Sequence, residues 1–500
     1  MDIEYIVVQA GGKGTRLHHL TKNKPKAIVP VNNLPMIFHL FHKFPDKKFI
    51  IIADYKADVL ERYLQVFSPV KYIIVNATGN TGTCAGIGKA ISYIPVHKAF
   101  MLIWSDLVLG EKFELPEKEG NYIGLSGTFP CRWKYENGVF EEESSVQYGV
   151  SGSFIFKDKS YLTNVPESGE FVRWLKEKNE IYEVFTLGNT KEFGLLEEYN
   201  KLKQEKCRPF NRIEEKDGRI IKTGIDEQGR ALAVREKTWY QYVYDKGIKA
   251  IPRIFSFEPF EMEKIDGRNI YEYGNLSFED KKEILRRMIA ALDNLHNLGS
   301  KDADYFSIWD AYISKTYKRL DKIRDLVPFA DRKIIRINGK DCRNIFYYKK
   351  EVAQKLLQYQ PEKFYFIHGD CTFSNMMLRN GREPVFIDPR GYFGHEELYG
   401  DIAYDWAKLY YSLKGNYDQF NLKKFMLDIE ENEIKLSIES NHWEELEDIF
   451  MEAVSKDVSI EYIKLFHAII WLSLTTYAWE DYDSICGAFY NGLYYLEEVL

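Results

Sequence analysis

The chain has 500 residues, of which 45% are hydrophobic, and its formal net charge is −7. This length exceeds what one hydrophobic core supports, so two or three domains are expected. The acidic balance argues against a nucleic-acid-binding surface, which needs a clustered basic face. No run is apolar and long enough for a spanning helix, and the six cysteines show no metal-ligand or disulfide spacing. The chain begins on a strand pattern without a signal peptide, so we expect a cytoplasmic protein without membrane insertion.

The first 130 residues alternate short β-rich runs with helical patterns. This alternation predicts an open parallel sheet with helices on both faces and a ligand site at the carboxyl ends of its strands. The predicted strands are Tyr5–Val8, Phe49–Ala53, Lys71–Val75, Met101–Trp104 and Tyr122–Leu125. The predicted helices between them are Leu34–Lys43, Ala57–Phe67 and Ala85–Ile94.

Residues 131–200 are predicted to continue this domain with a hairpin region, a strand at Ser153–Phe156 and a helix at Lys191–Glu205. A break follows at Cys207-Arg208-Pro209, which places the end of the first domain at residue 205.

Beyond the break, short antiparallel strands are predicted around one helix, Ala231–Asp245, in a small domain of residues 206–270. From residue 271 to 500 the pattern is almost wholly helical, apart from strands that flank a second motif described below. The short strands are Arg212–Ile213, Gly218–Lys222, Arg253–Phe257 and Phe260–Glu263.

The loop after the first predicted strand reads Gly11-Gly12-Lys13-Gly14-Thr15-Arg16, and Lys24-Pro25-Lys26 follows it. Small residues let backbone amides approach phosphate oxygens closely, and fixed cations add charge for a triphosphate. We therefore predict that a nucleotide binds at Gly11, Gly12, Gly14 and Thr15. The predicted catalytic cations are Arg16 and Lys26.

This arrangement resembles the superfamily of sugar-nucleotide pyrophosphorylases and phosphocholine cytidylyltransferases. The resemblance implies a Rossmann-like, open parallel-sheet nucleotidyltransferase domain. It also implies that Gly82 and Thr83, in Gly79-Asn80-Thr81-Gly82-Thr83, pack against the base, although an ordinary Gly/Asn turn is the alternative. Asp106, at the end of the fourth strand, matches the aspartate that binds Mg²⁺ in that family.

The sequence departs from this family at its second metal ligand. Relatives usually carry Asp-x-Gly-Thr before the last helix, whereas this chain reads Thr186-Leu187-Gly188-Asn189-Thr190. Either Asn189 or another acid completes the metal site, or the site is weaker than usual.

The second motif is His368-Gly369-Asp370, with Asn375 five residues after the aspartate and Asp388 beyond the next strand. It resembles the superfamily of aminoglycoside phosphotransferases and choline kinases, which implies a bilobal, protein-kinase-like domain. In this reading Asp370 is the catalytic base for a hydroxyl acceptor, and Asn375 and Asp388 hold the Mg²⁺ ions that bridge the ATP phosphates.

Further residues match the same family. Lys222 is predicted to bind the ATP phosphates and Glu236 to hold that lysine, although no glycine-rich loop precedes Lys222. Asp401 is predicted to organise the catalytic loop, and His296 to be a packed helix residue.

Two arginines are candidates for acceptor binding, Arg390 near the second metal site and Arg132 in the first domain. A guanidinium beside the reaction centre repels a quaternary ammonium and attracts a carboxylate or phosphate. The alternative for Arg390 is an internal salt bridge. A sugar, polyol or hydroxy acid is therefore favoured over choline.

Together the two motifs predict a bifunctional enzyme. A kinase phosphorylates a small alcohol with ATP, and a nucleotidyltransferase couples that phosphate to a nucleoside monophosphate, with CTP favoured, as in bacterial capsule and envelope biosynthesis. One alternative is a sugar-1-kinase joined to a pyrophosphorylase using UTP or GTP. Another is a kinase with a non-catalytic nucleotide-sensing domain.

Overall fold

The computed structural model describes residues 2–202, 211–225 and 227–500. The chain divides into two compact units, the first formed by Met1–Gln204 with Trp479–Asp483 and the second by Glu205–Ala478 with Ser484–Leu500. The predicted boundary at residues 205/206 and the break at 207–209 lie outside the described residues, and the boundary after residue 270 stays a prediction. Within the described ranges, no helix has the length and apolar character needed to cross a membrane.

The first unit is built on a seven-stranded sheet with short accessory hairpins. Its strands, in chain order, are Tyr5–Gln9 (β1), Pro30–Val31 (β2), Leu34–Pro35 (β3), Lys48–Ala53 (β4), Tyr72–Asn76 (β5), Phe100–Trp104 (β6), Leu107–Val108 (β7), Tyr122–Leu125 (β8), Lys134–Glu136 (β9), Val139–Glu141 (β10), Val150–Phe156 (β11), Glu183–Thr186 (β12) and Lys191–Glu192 (β13).

The order of strands in the sheet is β12-β8-β11-β6-β1-β4-β5. Strand β1 pairs in parallel with both β4 and β6, and β4 pairs in parallel with β5. Only β11 runs against its neighbours in this sheet, β6 and β8. The predicted parallel-sheet α/β fold is confirmed, with this one antiparallel strand added.

Helices cover the sheet of the first unit because their apolar faces bury against β-branched and aromatic strand residues. One core cluster includes Val7, Ile50 and Leu102 from the strands, and a smaller one includes Leu17 and Phe193. The α-helices are Met36–Lys43 (α1), Ala57–Phe67 (α2), Ile87–Ser92 (α3), Phe171–Lys178 (α4) and Leu196–Asn200 (α5).

The predicted helix Lys191–Glu205 is wrong at its start. Lys191 and Glu192 form β13, which pairs antiparallel with β7, and helix α5 covers only Leu196–Asn200. The pairing with β7 supplies backbone hydrogen bonds that helical spacing does not reveal, and it fixes Glu192 opposite Leu107.

The second unit begins with a four-stranded antiparallel sheet in the order β14-β15-β17-β16, next to one long helix. The strands of the unit are Asn211–Lys216 (β14), Arg219–Gly224 (β15), Ile254–Phe257 (β16), Phe260–Glu263 (β17), Ser300–Asp302 (β18), Ile334–Ile337 (β19), Lys340–Arg343 (β20), Lys363–Phe366 (β21), Met376–Arg379 (β22), Glu383–Phe386 (β23), Tyr392–Phe393 (β24), Glu396–Glu397 (β25), Tyr399–Gly400 (β26), Phe425–Ile429 (β27) and Ile434–Ile438 (β28).

The remainder of the second unit is largely helical, and Trp239, Trp406, Trp443 and Trp471 are fully buried in it. Its helices are Glu227–Tyr244 (α6), Phe278–His296 (α7), Tyr305–Trp309 (α8), Lys315–Ile323 (α9), Ile345–Leu357 (α10), Ile402–Leu413 (α11), Tyr417–Asn421 (α12), Glu447–Val454 (α13), Ile460–Leu474 (α14) and Tyr482–Leu496 (α15), of which the first two residues of α15 are counted with the first unit. A π-helical turn, Asp310–Ser314, leads into α9.

The region predicted to be almost wholly helical also contains one sheet that was not predicted. Strands β20, β19, β28 and β27 form a four-stranded sheet from two hairpins about 90 residues apart. Only Ile337 and Ile434 pair between the hairpins, in parallel register. Such a long-range contact leaves no local pattern in the sequence.

Candidate active sites

The glycine loop of the first unit lies at the carboxyl end of β1, as the parallel sheet requires. Gly14 has a φ of +64°, and an added Cβ would lie 3.0 Å from Thr21 and 3.1 Å from the Cβ of Lys26. Both the backbone conformation and the close approach therefore require glycine here. The loop brings its backbone amides next to Lys26.

Asp106 lies beside this loop because its strand neighbours β1. Gln9 of β1 is in register with Trp104 of β6, and Asp106 follows two residues later. Its Oδ2 accepts a hydrogen bond from Nζ of Lys26 at 2.6 Å. Burial raises the pKa of Asp106, but the Lys26 ammonium outweighs burial and holds that pKa below its usual value. The carboxyl group is therefore ionised at neutral pH.

Glu192 is a site residue that the sequence reasoning did not identify. The backbone N–H of Phe193 donates to the Asp106 carbonyl at 3.0 Å, which fixes β13 next to Asp106. An added Cβ on Gly194 would lie 2.0 Å from Oε1 of Glu192 and 3.0 Å from Oδ2 of Asp106, so both carboxyl groups converge there. Burial, and then Asp106, raise the pKa of Glu192 to about 7.

These two carboxyl groups fit a divalent cation. Mg²⁺ is usually held by one or two carboxylates together with substrate phosphates, so a larger cage of protein ligands is not needed. In the part of the chain that the structure describes, no group of three or more His, Cys, Asp or Glu side chains is arranged as a metal site. Asn189 packs against Gly110. Glu192 therefore fits the position of the second metal ligand better than Asn189 does.

The segment around Gly82 and Thr83 is held firmly by two other parts of the unit. The side-chain amide of Gln9 donates to the carbonyls of Thr83 and Ala85, both at 3.0 Å. Gly82 has a φ of +84°, and an added Cβ would lie 2.3 Å from the Gly169 carbonyl oxygen. The segment is therefore fixed to β1, and its predicted contact with a base stays a prediction.

Arg132 is exposed and surrounded by acids. Its guanidinium pairs with Glu142 and lies 3.5 Å from Glu170, and Arg173 joins the same group. The structure brings Arg132 into a surface ion-pair network. Its predicted role in acceptor binding stays a prediction.

In the second unit, Asp405 on α11 holds the His368-Gly369-Asp370 loop. Its carboxylate oxygens accept hydrogen bonds from the backbone N–H of His368 at 2.9 Å and of Gly369 at 2.7 Å. His296 lies 3.1 Å from the same carboxylate and is buried beside it. The predicted packed histidine thus also positions Asp405.

The predicted catalytic base has polar neighbours on two sides. Nδ2 of Asn375 donates to Oδ2 of Asp370 at 3.1 Å, and Nζ of Lys408 lies 3.0 Å from its Oδ1. Burial lowers the pKa of Lys408, but Asp370 outweighs burial and raises it. The structure therefore brings the predicted base and one predicted metal ligand together.

The predicted lysine, glutamate and metal aspartate also meet. Nζ of Lys222 lies 2.6 Å from both Oε2 of Glu236 and Oδ1 of Asp388. Burial raises the pKa of Glu236 to about 7, and Lys222 opposes that rise. For Asp388, burial acts to raise the pKa, but Lys222 outweighs it and keeps the pKa low. The structure thus places Lys222 between a helix glutamate and the acid predicted to bind metal.

The predicted loop organiser, Asp401, has a different set of contacts. It caps α11 through the N–H of Ala403 and accepts hydrogen bonds from Tyr312 at 2.8 Å and Tyr359 at 2.7 Å. Asp405, one helical turn later, contacts the loop instead. Asp401 and Asp405 both lie at the start of α11, so sequence spacing alone does not show which of them contacts the catalytic loop.

The two parts of the chain match two families of transferase domains. Residues 5–117 match the family model of nucleotidyl transferases, and residues 219–421 match the phosphotransferase enzyme family. The chain joins a domain of the first family to a domain of the second, which confirms the resemblance inferred from its motifs.

Several known proteins are similar to the first part of the chain. The catalytic subunit beta of mannose-1-phosphate guanylyltransferase from Drosophila pseudoobscura pseudoobscura is 25% identical over 180 residues, 33% of this chain and 47% of that protein. The bifunctional protein GlmU of Methanococcus maripaludis is 30% identical over 122 residues, 24% of this chain and 29% of GlmU. The matches thus span about half or less of these relatives.

Among solved structures, HddC from Yersinia pseudotuberculosis is 22% identical, with a TM-score of 0.35. The similarity covers 40% of this chain and 98% of HddC.

Proposed function

We propose that this protein makes a nucleotide-activated precursor in two steps, with the second unit acting first. The kinase site phosphorylates a small alcohol with ATP, and the nucleotidyltransferase site couples the new phosphate to a nucleoside monophosphate and releases pyrophosphate. The observation that supports this proposal is the presence of a complete set of charged groups at each site. Lys26, Asp106 and Glu192 converge in one unit, and Asp370 and Asp388 carry their cations in the other.

In the kinase reaction, Asp370 accepts the proton of the acceptor hydroxyl. The hydroxyl oxygen forms a bond to the γ-phosphorus of ATP, the bond from that phosphorus to the β–γ bridging oxygen breaks, and ADP leaves. Lys222 binds the nucleotide phosphates, positioned by Glu236 at 2.6 Å. Asn375 and Asp388 would hold Mg²⁺, which neutralises charge on the phosphates.

In the second reaction, an oxygen of the phosphorylated alcohol attacks the α-phosphorus of a nucleoside triphosphate. The bond to the α–β bridging oxygen breaks, and its electrons leave with pyrophosphate. Lys26 and Arg16 stabilise the negative charge that develops, and the glycine-loop amides bind phosphate oxygens. Asp106 and Glu192 would hold Mg²⁺, which screens the triphosphate.

We propose CTP as the nucleotide, ATP as the phosphate donor and surface-glycan or lipid-headgroup synthesis in the cytoplasm as the setting. The support for CTP is the compact first domain and its sequence resemblance to phosphocholine cytidylyltransferases. The name of the Drosophila relative specifies a guanylyltransferase acting on a sugar phosphate. A sugar kinase joined to a GTP- or UTP-dependent pyrophosphorylase is therefore the second candidate.

A complementation experiment tests the coupled reaction. Asp370→Asn should abolish ATP-dependent phosphorylation but retain pyrophosphate release when a phosphorylated alcohol is supplied, and Asp106→Asn should do the reverse. A mixture of the two variants should restore the nucleotide-activated product, detected by mass spectrometry with ATP and each of CTP, UTP and GTP.

Each outcome has a defined meaning. Loss of both reactions in either folded variant contradicts two independent sites. Phosphorylation without pyrophosphate release, with all four nucleotides and every acceptor tested, supports the nucleotide-sensing alternative. Preference for UTP or GTP supports the second candidate.

A further inference from the structure

Four basic side chains interact electrostatically near the predicted catalytic base, and one of them, Lys408, lies 3.0 Å from Oδ1 of Asp370. They are Lys315 and Arg319 on α9, Arg390 after the metal aspartate, and Lys408 on α11, and we call them the cation cluster. Lys315 and Arg319 are four residues apart and so share one face of α9. Lys315 directly follows the π-helical turn Asp310–Ser314, a feature that occurs often at functional sites.

Arg390 is fixed against the catalytic loop. Its N–H donates to the His368 carbonyl at 2.9 Å, and an added Cβ on Gly369 would lie 3.1 Å from the Cβ of Arg390. Its guanidinium donates to the hydroxyls of Tyr404 at 2.9 Å and Tyr392 at 2.7 Å. Neutral tyrosine hydroxyls therefore hold the Arg390 guanidinium in place. Among the described residues, it forms no internal salt bridge, which was the alternative considered for it.

The other members of the cluster also have few acidic neighbours. Arg319 donates to the hydroxyl of Ser473 at 3.0 Å, and Lys408 pairs with Asp370 at 3.0 Å. Within the described ranges, no carboxylate lies within ion-pair distance of Lys315, Arg319 or Arg390. One acid therefore faces four basic groups.

The electrostatics of the cluster are unfavourable without a further anion. Burial lowers the pKa of Lys315 to about 6, and Arg390, Arg319 and Lys408 add to that effect. Burial and Arg390 also lower the pKa of Arg319. Partly buried like charges destabilise a fold unless an anion binds among them. Packing alone does not explain these four basic residues, because apolar side chains would fill the same space without the repulsion.

The cluster is on the acceptor side of the kinase site. Lys408 contacts Asp370, which takes the hydroxyl proton, whereas the lysine assigned to the nucleotide, Lys222, contacts Asp388. Lys408 of the cluster and Lys222 thus contact different acids of the site.

We propose that the cation cluster binds an anionic group, a carboxylate or a phosphate, carried by the alcohol that the kinase phosphorylates. The inference rests on the proposed kinase activity and specifies its substrate class. Lys315 and Arg319 fix the anionic end of the acceptor, Arg390, which is bonded to the catalytic loop, adds a further cation, and the hydroxyl is presented to Asp370. Choline and other cationic alcohols are excluded by the same charges.

Matched acceptors test this inference with the full-length chain. The pairs are glycerol with glycerate and glucose with glucose 6-phosphate, with choline as the cationic alcohol, so that carboxylate and phosphate are tested separately. We expect the anionic member of at least one pair to exceed its neutral partner and choline in kcat/KM by about tenfold or more. A preference for a neutral or cationic acceptor overturns the inference but leaves the kinase function intact.

Variants test which residues bind the anion. Lys315→Met and Arg319→Met should each raise KM for the anionic acceptor about tenfold, with kcat within about twofold, because they remove binding that is equal in the ground and transition states. KM for ATP should not change. Lys318→Met, an exposed lysine on the same helix, is the matched control and should behave as wild type. An increase in KM for ATP instead assigns the cluster to the nucleotide and overturns the inference.

A binding measurement judges the inference even if no acceptor is turned over. Inorganic phosphate and malonate are titrated calorimetrically into the full-length protein with a non-hydrolysable ATP analogue and Mg²⁺. Wild type and Lys318→Met should bind at least one of these anions about tenfold more tightly than Lys315→Met. Equal affinities overturn the inference, whereas absence of ADP formation with every acceptor tested counts against the kinase function itself.

Discussion

The ammonium group of Lys26 lies 2.6 Å from Oδ2 of Asp106, so the predicted catalytic cation and the predicted metal ligand form an ion pair. The same Asp106 oxygen lies close to Glu192, at Gly194. Two acids and two cations therefore meet in the first site, since Arg16 also lies 3.9 Å from Oε1 of Glu192. The pair of acids fits a divalent cation, and Lys26 keeps Asp106 ionised.

Glu192→Gln should lower the rate of pyrophosphate release by roughly 10²–10³-fold, the usual effect of removing one group that stabilises charge in the transition state. Glutamine keeps the size of the side chain but not its charge, so the requirement for Mg²⁺ should rise as well. The measurement is pyrophosphate release against Mg²⁺ concentration.

Asn189→Ala is the matched control and should retain activity near wild type. If Asn189→Ala loses activity while Glu192→Gln retains it, the second ligand position belongs to the asparagine.

In the kinase site, Asp405→Asn should reduce the rate of phosphorylation by about 10²-fold or more, because it loosens the catalytic loop that carries Asp370. The carboxylate accepts from the N–H groups of His368 and Gly369, and an amide has only one oxygen for them. An unsatisfied buried N–H costs about 1–3 kcal/mol, so stability should fall too. Steady-state ADP release and thermal melting measure the two effects.

Asp401→Asn serves as the comparison on the same helix. Burial raises the pKa of Asp401 to about 6, and its partners are Tyr312, Tyr359 and the N–H of Ala403. A neutral side chain is therefore tolerated better there, and phosphorylation should fall less than in Asp405→Asn. Equal losses in both variants would show that Asp405 only stabilises the helix.

The parts of each site that lie within one loop and its neighbouring strand could be predicted from the sequence. The glycine loop and Asp106 come just after strands of the parallel sheet, so their positions at the strand ends could be predicted. Asp370 and Asn375 lie in one loop between β21 and β22, and their spacing in the motif made them recognisable. Strand β1 and helix α2 were also evident from β-branched runs and helical spacing.

Residues whose position depends on long-range pairing could not be predicted. Glu192 reaches Asp106 because β13 pairs with β7, and this pairing replaces the start of the predicted helix Lys191–Glu205. The cation cluster forms from α9, α11 and the loop of Arg390, which are distant in sequence. Lys315 is surrounded by charges only after these elements pack together.

Lys315→Met should stabilise the protein at neutral pH. The folded-state pKa of about 6 lies below the ordinary value of 10.5, so folding removes a proton that the unfolded chain keeps between those values. The resulting penalty is on the order of 2 kcal/mol at pH 7 after allowance for solvent at this partly buried group, and it disappears above pH 10.5.

The melting temperature of Lys315→Met should therefore exceed that of wild type at pH 7, and the difference should shrink toward pH 10. Lys318→Met supplies the baseline for removing a lysine from the exposed side of α9. A lower melting temperature for Lys315→Met would show that its ammonium group is well compensated.

His467 should make the second unit sensitive to acid. It is buried, and its Nε2 accepts a hydrogen bond from Nε1 of Trp471 at 3.0 Å. Burial lowers the pKa of His467 to about 3 from an ordinary 6.5, so the unfolded state binds the extra proton between those values. Stability therefore falls as pH decreases through this window, by about 2 kcal/mol at pH 5.

His467→Gln keeps an acceptor for Trp471 but does not titrate. Its unfolding free energy, followed by urea at pH 7 and pH 5, should change less with pH than that of wild type. Identical pH dependence in the two proteins would mean that His467 is not the group responsible.

Lys24 should be a major contributor to the stability of the first unit. Its side chain is 2% exposed, and its ammonium lies 3.0 Å from Asp481 and closer still to Asp483, in the late segment Trp479–Asp483 that belongs to this unit. Burial alone would lower the pKa of Lys24, but the two aspartates outweigh it and raise that pKa. Lys24→Met removes this cation from beside a buried acid, Asp481, and a half-buried one, Asp483, and should cost about 3–5 kcal/mol.

A mutant cycle separates loss of the ion pair from loss of packing. Combining Lys24→Met with Asp481→Asn and Asp483→Asn removes the uncompensated charges, so the triple variant should recover most of the lost unfolding free energy. Urea denaturation of the four proteins, Lys24→Met, the Asp481→Asn/Asp483→Asn pair, the triple variant and wild type, measures the coupling. Additive losses would show that the lysine acts through its methylene packing and that the aspartates do not depend on its charge.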